Sequence, residues 1–327
     1  LIYSTKWFNA VLVTCEQTVA ESIKLLPIVS SVEYVAPDGV VNRSSINKNN
    51  KKIKISDSDT LFQNSILGVA QMHADGFRGE GMLIGVIDGG FTGVDDVDAF
   101  NNLRDEGRIT YTYDFVGHST DVYRYSDHGT KVLSLMATEW PQKSMVGVAP
   151  GANYVLLVSE KVSSEYRVEE YLWAMGAERA DSIGVDIITT SLGYNSFDDP
   201  SMNYQPMDMN GTTAPITIAA QVASEKGIVI ITSAGNEGGS TWQTITAPAD
   251  VIDGIAVGSI QSNYSKSLFS SIGPSWDGRV KPDVVALGSG AYLVNASGNL
   301  VTGSGTSFSA PQVAGLVAGF WQAYPNL

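Results

Sequence analysis

The chain has 327 residues, 43% of them hydrophobic, enough for one large core and a small additional domain. Its 34 acidic and 20 basic residues leave a net charge of −14. That balance sets aside nucleic-acid binding, which needs clustered Lys and Arg. With mean hydropathy near zero and no apolar run of membrane-spanning length, the chain reads as soluble, without a membrane span.

Residues 1–40 read as a separate small α+β unit. Phe8–Thr14 is a β-rich run, and Thr18-Val-Ala-Glu21 has capping-box spacing. Val19, Ile23 and Leu26 recur at helical spacing, and Pro27 ends the helix. Val32–Ala36 returns to a strand, stopped by Pro37-Asp38-Gly39. Cys15 is the single cysteine, which excludes an internal disulfide framework; it reads as a small buried hydrophobe. Residues 41–58 are polar and basic and read as a solvated linker, where proteolytic nicking concentrates.

Residues 59–327 alternate helices and strands. Phe62, Ile66 and Val69 mark a helix with Gly76 as its C-cap. Met82–Ile87 is an apolar strand running into Asp88-Gly89-Gly90. His128–Thr138 is a buried helix and Tyr154–Val158 a strand. Val168, Leu172 and Met175 mark an amphipathic helix before the strand Asp186–Ser191. Thr212–Lys226 is a helix, Ile228–Thr232 and Ile255–Gly258 are strands, and Ser307–Phe320 is a largely apolar helix. Wholly apolar strands between helices imply an α/β fold, a mostly parallel sheet covered on both faces. Ligands bind such sheets at the carboxyl ends of the strands.

The polar residues of interest lie at those ends. Asp88 reads as a turn residue or as a catalytic group. Of the three histidines, His73 and His118 read as ordinary solvated residues. His128 opens a rigid helix with open space beside it at Gly129, and is the best candidate for a general base. Ser307, where a glycine-rich loop enters a helix, is either a plain N-cap or a nucleophile whose own amide helps bind an oxyanion. Asn236 reads as a turn residue or an oxyanion donor. The acidic run Asp95, Asp96 and Asp98 reads as a solvated loop or a calcium site.

The chain order Asp88, His128, Ser307 is that of subtilisin. The segments Ile84-Gly-Val-Ile-Asp88-Gly, Asp127-His-Gly-Thr130, Ser233-Ala-Gly-Asn-Glu-Gly238 and Gly305-Thr-Ser-Phe-Ser-Ala-Pro311 resemble signatures of the subtilase family of serine peptidases. So do Gly147-Val-Ala-Pro150, Ser191-Leu-Gly193 and Lys281-Pro-Asp-Val284. Neither the nucleophile-elbow pattern of an α/β-hydrolase nor a dinucleotide fingerprint fits: Ser309 stands where the elbow needs Gly, and Gly79-Glu-Gly81 precedes its strand. A catalytically dead subtilase acting as a binding module is the remaining rival, although all four polar residues are retained.

The resemblance implies a seven-stranded sheet and a serine endopeptidase acting on protein or peptide substrates, with no cofactor for catalysis and structural calcium in some members. It assigns the triad to Asp88, His128 and Ser307 and the oxyanion hole to Asn236 and the Ser307 N–H. Ser191, Leu192 and Gly193 together with Ser233, Ala234 and Gly235 would flank the pocket for the residue before the cleaved bond, with Thr246 narrowing its floor. Residues 1–40 resemble the inhibitor-like subtilase propeptide without its first strand, which implies a zymogen that cleaves itself within 41–58. Phe308 and Ala310 depart from the family's Met and Ser at those positions. The resemblance further implies a catalytic domain continuing past Leu327, and a secreted, periplasmic or cell-surface protein of the exported Bacteroidetes type.

Overall fold

The computed structural model describes residues 2–37 and 62–326; the expected processing linker lies outside them. The N-terminal segment begins with an antiparallel pair, β1 (Tyr3–Thr5) and β2 (Ala10–Leu12), followed by α1 (Gln17–Lys24). The expected strand at Phe8–Thr14 is cut to three residues, because residues 6–9 form the turn from β1 and Asn9 adopts φ +46°. α1 starts one residue before Thr18, with Glu16 as N-cap and no side-chain cap, so the capping box is not made. Residues 30–37 are irregular and not a strand. They lie against a helix of the main body, with no sheet partner to complete a ladder.

Apolar runs build the main body. After a helical turn at 62–65 come α2 (Val69–Ala74), β3 (Leu83–Asp88), α3 (Asn101–Asp105), β4 (Ile109–Asp114) and α4 (His128–Ala137). A small hairpin, β5 (Glu139–Trp140) with β6 (Met145–Val146), leads to β7 (Asn153–Val158), α5 (Val168–Ile183) and β8 (Ile187–Thr190). Next follow α6 (Pro215–Glu225), β9 (Val229–Ser233), β10 (Ile255–Ile260) and β11 (Val284–Leu287). The hairpin β12 (Ser289–Val294) and β13 (Leu300–Ser304) precedes α7 (Ala310–Ala323).

Seven strands form one parallel sheet in the order β11-β10-β9-β8-β3-β7-β4. One apolar cluster, around Trp173, Ile188, Ile216 and Ile230, fills the space between the sheet and α5 and α6. The other, around Ile84, Leu133, Leu156 and Ala314, lies under α4 and α7. Both faces are therefore covered, as strands without polar alternation require. Trp173 is fully buried, and its indole N–H reaches the Thr190 hydroxyl at 3.1 Å, so the largest core side chain leaves no polar atom unpaired. The carboxyl ends of β3, β8 and β9 meet near the middle of the sheet, where Asp88, Ser191 and Ser233 emerge.

Candidate active site

Asp88 ends β3 and is fully buried. Its Oδ1 accepts the Gly89 N–H at 2.7 Å, and the carboxylate accepts the His128 Nδ1–H at 2.8 Å (Oδ1) and 3.0 Å (Oδ2). His128 opens α4, its own N–H donating to the Ser126 hydroxyl at 3.0 Å. Burial alone pushes the imidazole below its ordinary value; the charge and hydrogen bond of Asp88 outweigh that and leave it raised. The glycine at 129 serves close backbone approach, not open space as expected. Gly129 N–H donates to Gly90 O at 3.1 Å, and a Cβ at 129 would stand 2.5 Å from that oxygen. Gly90 itself sits at φ +141°, where a Cβ would meet Arg124 O at 2.2 Å. Two glycines thus allow the 88–90 loop and the start of α4 to touch, which brings the imidazole to the carboxylate.

Ser307, expected to open a helix, lies instead in a 3-10 turn, Thr306–Phe308, between β13 and α7, and the helix proper starts three residues later at Ala310. It exchanges two hydrogen bonds with the end of β8: Ser307 Oγ–H donates to Ser191 O at 3.1 Å, and Ser191 Oγ–H donates to Ser307 O at 2.9 Å. No hydrogen bond joins Ser307 to His128 among the described residues, while the ring of the next residue, Phe308, stands 6.0 Å from the imidazole. Phe308 packs on Leu135, Leu293 and Val301. A Cβ at residue 303 would meet its ring at 2.8 Å, so Gly303 makes the room that this aromatic residue needs.

Asn236 follows β9. Its Oδ1 accepts from Thr306 N–H at 2.9 Å and from the Thr306 hydroxyl at 3.1 Å. The oxygen is engaged, Asn236 is exposed, and Nδ2 donates no hydrogen bond among the described residues. A Cβ placed on Gly305 would lie 3.8 Å from Asn236 Nδ2, Asn236 Oδ1 and Ser307 N alike, and Asn236 and Ser307 line one cleft. Two N–H groups beside a hydroxyl can hold a developing oxyanion. Thr306, which fixes the amide, was missed in the sequence because its role is visible only through a bond across 70 residues.

A cleft of about 100 Å³ opens beside Ser307. It is lined by Ser191, Leu192, Gly193, Ser233, Gly235 and Thr246, all expected there, and by Asn195 and Glu237, which were not. Ala234 turns into the core instead, since side chains alternate at the end of β9. Cβ atoms at Gly193 and Gly235 would stand 2.5 and 2.7 Å from Thr246 Oγ1, so this buried hydroxyl plugs the floor between the two segments.

Two expectations change. His73 is half-buried, its Nε2 2.8 Å from Val148 O and its pKa lowered by burial; only His118 is exposed, stacked on Tyr3. Asp95, Asp96 and Asp98 are exposed, in keeping with the solvated-loop reading, and do not converge. Among the described residues the converging acidic group is Glu160, Glu165 and Glu169, in the β7–α5 connection. Cys15 is half-buried, not buried.

A family model described as the subtilase family matches residues 79–327. Subtilisin NAT of Bacillus subtilis subsp. natto is 28% identical over 324 residues, covering 98% of this chain and 72% of its own. Subtilisin DY of Bacillus licheniformis is 30% identical over 258 residues, covering 79% and 82%. Among solved structures, a cold-adapted subtilisin-like serine proteinase aligns with TM-score 0.59 at 27% identity, over 76% of this chain and 78% of that one. The prenylagaramide maturation protease PagA shares the fold, with TM-score 0.60 at 20% identity over 78% of this chain and 80% of its own.

Proposed function

The chain belongs to the subtilase family and is a subtilisin-like serine endopeptidase, and we propose that it cuts peptide bonds through Ser307, His128 and Asp88 by way of an acyl-enzyme. Ser307 Oγ attacks the scissile carbonyl while its proton passes to His128 Nε2. Asp88 holds Nδ1–H and stabilises the imidazolium, which later protonates the leaving amine. The negative oxygen of the tetrahedral intermediate lies between Asn236 Nδ2 and the Ser307 N–H. In the free enzyme the Ser307 hydroxyl rests on Ser191 O; substrate binding turns it to His128, a tightening common between free and loaded sites.

The observation that carries this reading is the coincidence of a fully buried Asp88 bonded to His128 with one cleft lined by both Ser307 and Asn236. Substrate backbone adds as a strand along 191–193, a mode that reads main chain and leaves selection to the cleft floored by Thr246. A fluorophosphonate probe tests the assignment. Labelling at Ser307, abolished in Ser307→Ala and in denatured protein, is the expected result. Processed protein that stays unlabelled would favour a binding module without catalysis.

We further propose that residues 1–40 act as an intramolecular inhibitor of a self-processing zymogen, cleaved within 41–58. Support comes from docking: Glu178 on α5 accepts from Lys6 N–H (3.1 Å), Trp7 N–H (3.0 Å) and the Thr5 hydroxyl. Val35 O accepts from Val168 N–H at 3.0 Å, at the start of the same helix. The alignment with Subtilisin NAT also runs through this segment. The style of its motifs supports an exported, Bacteroidetes-type member; no helix of the described residues is long and apolar enough to cross a membrane.

A further inference from the structure

The connection from β7 to α5 carries a group of carboxylates that the catalytic reading leaves unused. Glu160, Glu165 and Glu169 each offer an oxygen, and these atoms all lie within 4.8 Å of one another. Glu169 is 1% exposed, and neither of its carboxylate oxygens makes a hydrogen bond of good geometry; its polar neighbours are the Tyr166 N–H and the Glu160 carboxyl. Glu160 accepts from the Tyr194 hydroxyl. None of the three is in an ion pair with a Lys or Arg of the described residues; Arg167, between them in sequence, pairs with Glu33 and Glu170 instead. Ser159 and Ser164, in the same connection, also carry buried hydroxyl oxygens without partners.

Such an arrangement is costly as it stands. A buried carboxylate without a donor must be neutralised by a proton or paired with a cation. Burial first, then mutual repulsion, pushes Glu165 and Glu169 upward; Glu160 is also raised, by burial above all. Hard oxygens on a flexible connection match calcium, which takes 6–8 oxygen ligands at about 2.3–2.6 Å. Two oxygens on opposite sides of such an ion stand roughly 4.6–5.2 Å apart, so three oxygens that all lie within 4.8 Å of one another can share one ion. Magnesium demands shorter, near-octahedral contacts and keeps its waters.

We propose that Glu160, Glu165 and Glu169 form a calcium-binding site that fixes the β7–α5 connection beside the active site. Its nearness is direct. Ser159 N–H donates to Asp88 O at 3.2 Å, and a Cβ on Gly89 would stand 3.4 Å from Glu160 Cβ. The bound ion ties the end of β7, next to Asp88, to the first turn of α5, which carries Glu169. The inference rests on this geometry and not on the roles given to Ser307 and His128.

The test uses full-length Ser307→Ala protein, which cannot digest itself, stripped with EDTA. Calcium titration by calorimetry, with thermal unfolding in parallel, should give one site at this connection and a rise in Tm that magnesium does not reproduce. Glu169→Gln and Glu165→Gln should each weaken that site at least tenfold. Glu169→Gln should unfold in EDTA no lower than the parent, because it removes a buried unpaired charge, while losing the calcium-dependent rise. Retention of both affinity and Tm rise in these variants would place calcium elsewhere and overturn the proposal. So would an absence of binding, which would mean that the three carboxyls share protons only.

Discussion

The main body from β3 to α7 closes over two interlocked apolar clusters, whereas the N-terminal segment leaves Val11, Leu25 and Ile28 at 61%, 84% and 90% exposure. In the segment Thr5 is buried, and its partner is Glu178 of the body. Tyr3, Trp7, Phe8 and Leu12 reach apolar cover only by leaning on the cluster under α5. The body carries its own core; the segment takes its order from the body's surface. Every group assigned to chemistry lies in the first part, and none in the second.

Changes that separate the two parts sharpen this contrast. The largest expected effect belongs to Asp88→Asn, which should lower kcat/KM by about 10⁴-fold while leaving the N-terminal segment docked; loss of docking would mean that the two parts are not separable. Asn236→Leu should cost about 10²–10³ in kcat with little change in KM. Glu178→Ala should do the reverse. Charge-assisted hydrogen bonds contribute about 1.5–3 kcal/mol each, so inhibition of the processed enzyme by the segment added in trans should weaken at least tenfold, with kcat unchanged.

Subtler is the pH profile. Catalysis needs a neutral imidazole, so kcat/KM should fall as pH drops through the raised value of His128, with the midpoint above its ordinary 6.5. Asp88→Asn removes the raising charge and leaves burial, so the residual activity should keep its acid limb to lower pH. Smallest of all, Thr246→Ala should deepen the cleft and shift preference toward larger side chains before the cleaved bond, read by cleavage profiling on a peptide library.

Much of this was legible in the sequence because the relevant signals are local. Runs rich in apolar and β-branched residues announced β3, β7, β8, β9 and β10; Asp88 ends β3, Asn236 follows β9, and His128 and Ser307 stand where loops enter helices. β4 was missed although Ile109-Thr-Tyr-Thr-Tyr-Asp114 is rich in β-formers, since its half-polar pattern fits a covered parallel strand poorly. The hairpin β12–β13 was missed because the partner that covers it, Leu135, lies far back along the chain. Glu169 gave no signal in the sequence, because an acidic residue in a first helical turn is where the helix dipole favours one. Its burial depends on how the preceding connection folds back, which no local pattern encodes.

The strand order also governs how quickly the chain can find its shape. β3 lies between β7 and β8, so Leu83 pairs with Asn153 and Ile84 with Ile187, and α5 bridges the two neighbours across it. Such pairings close long loops before any ladder forms, which makes assembly of the central strands slow. The β1–β2 hairpin packs on that bridging helix, so refolding of a body lacking residues 1–40 should be slower than refolding of the whole chain, read by stopped-flow fluorescence.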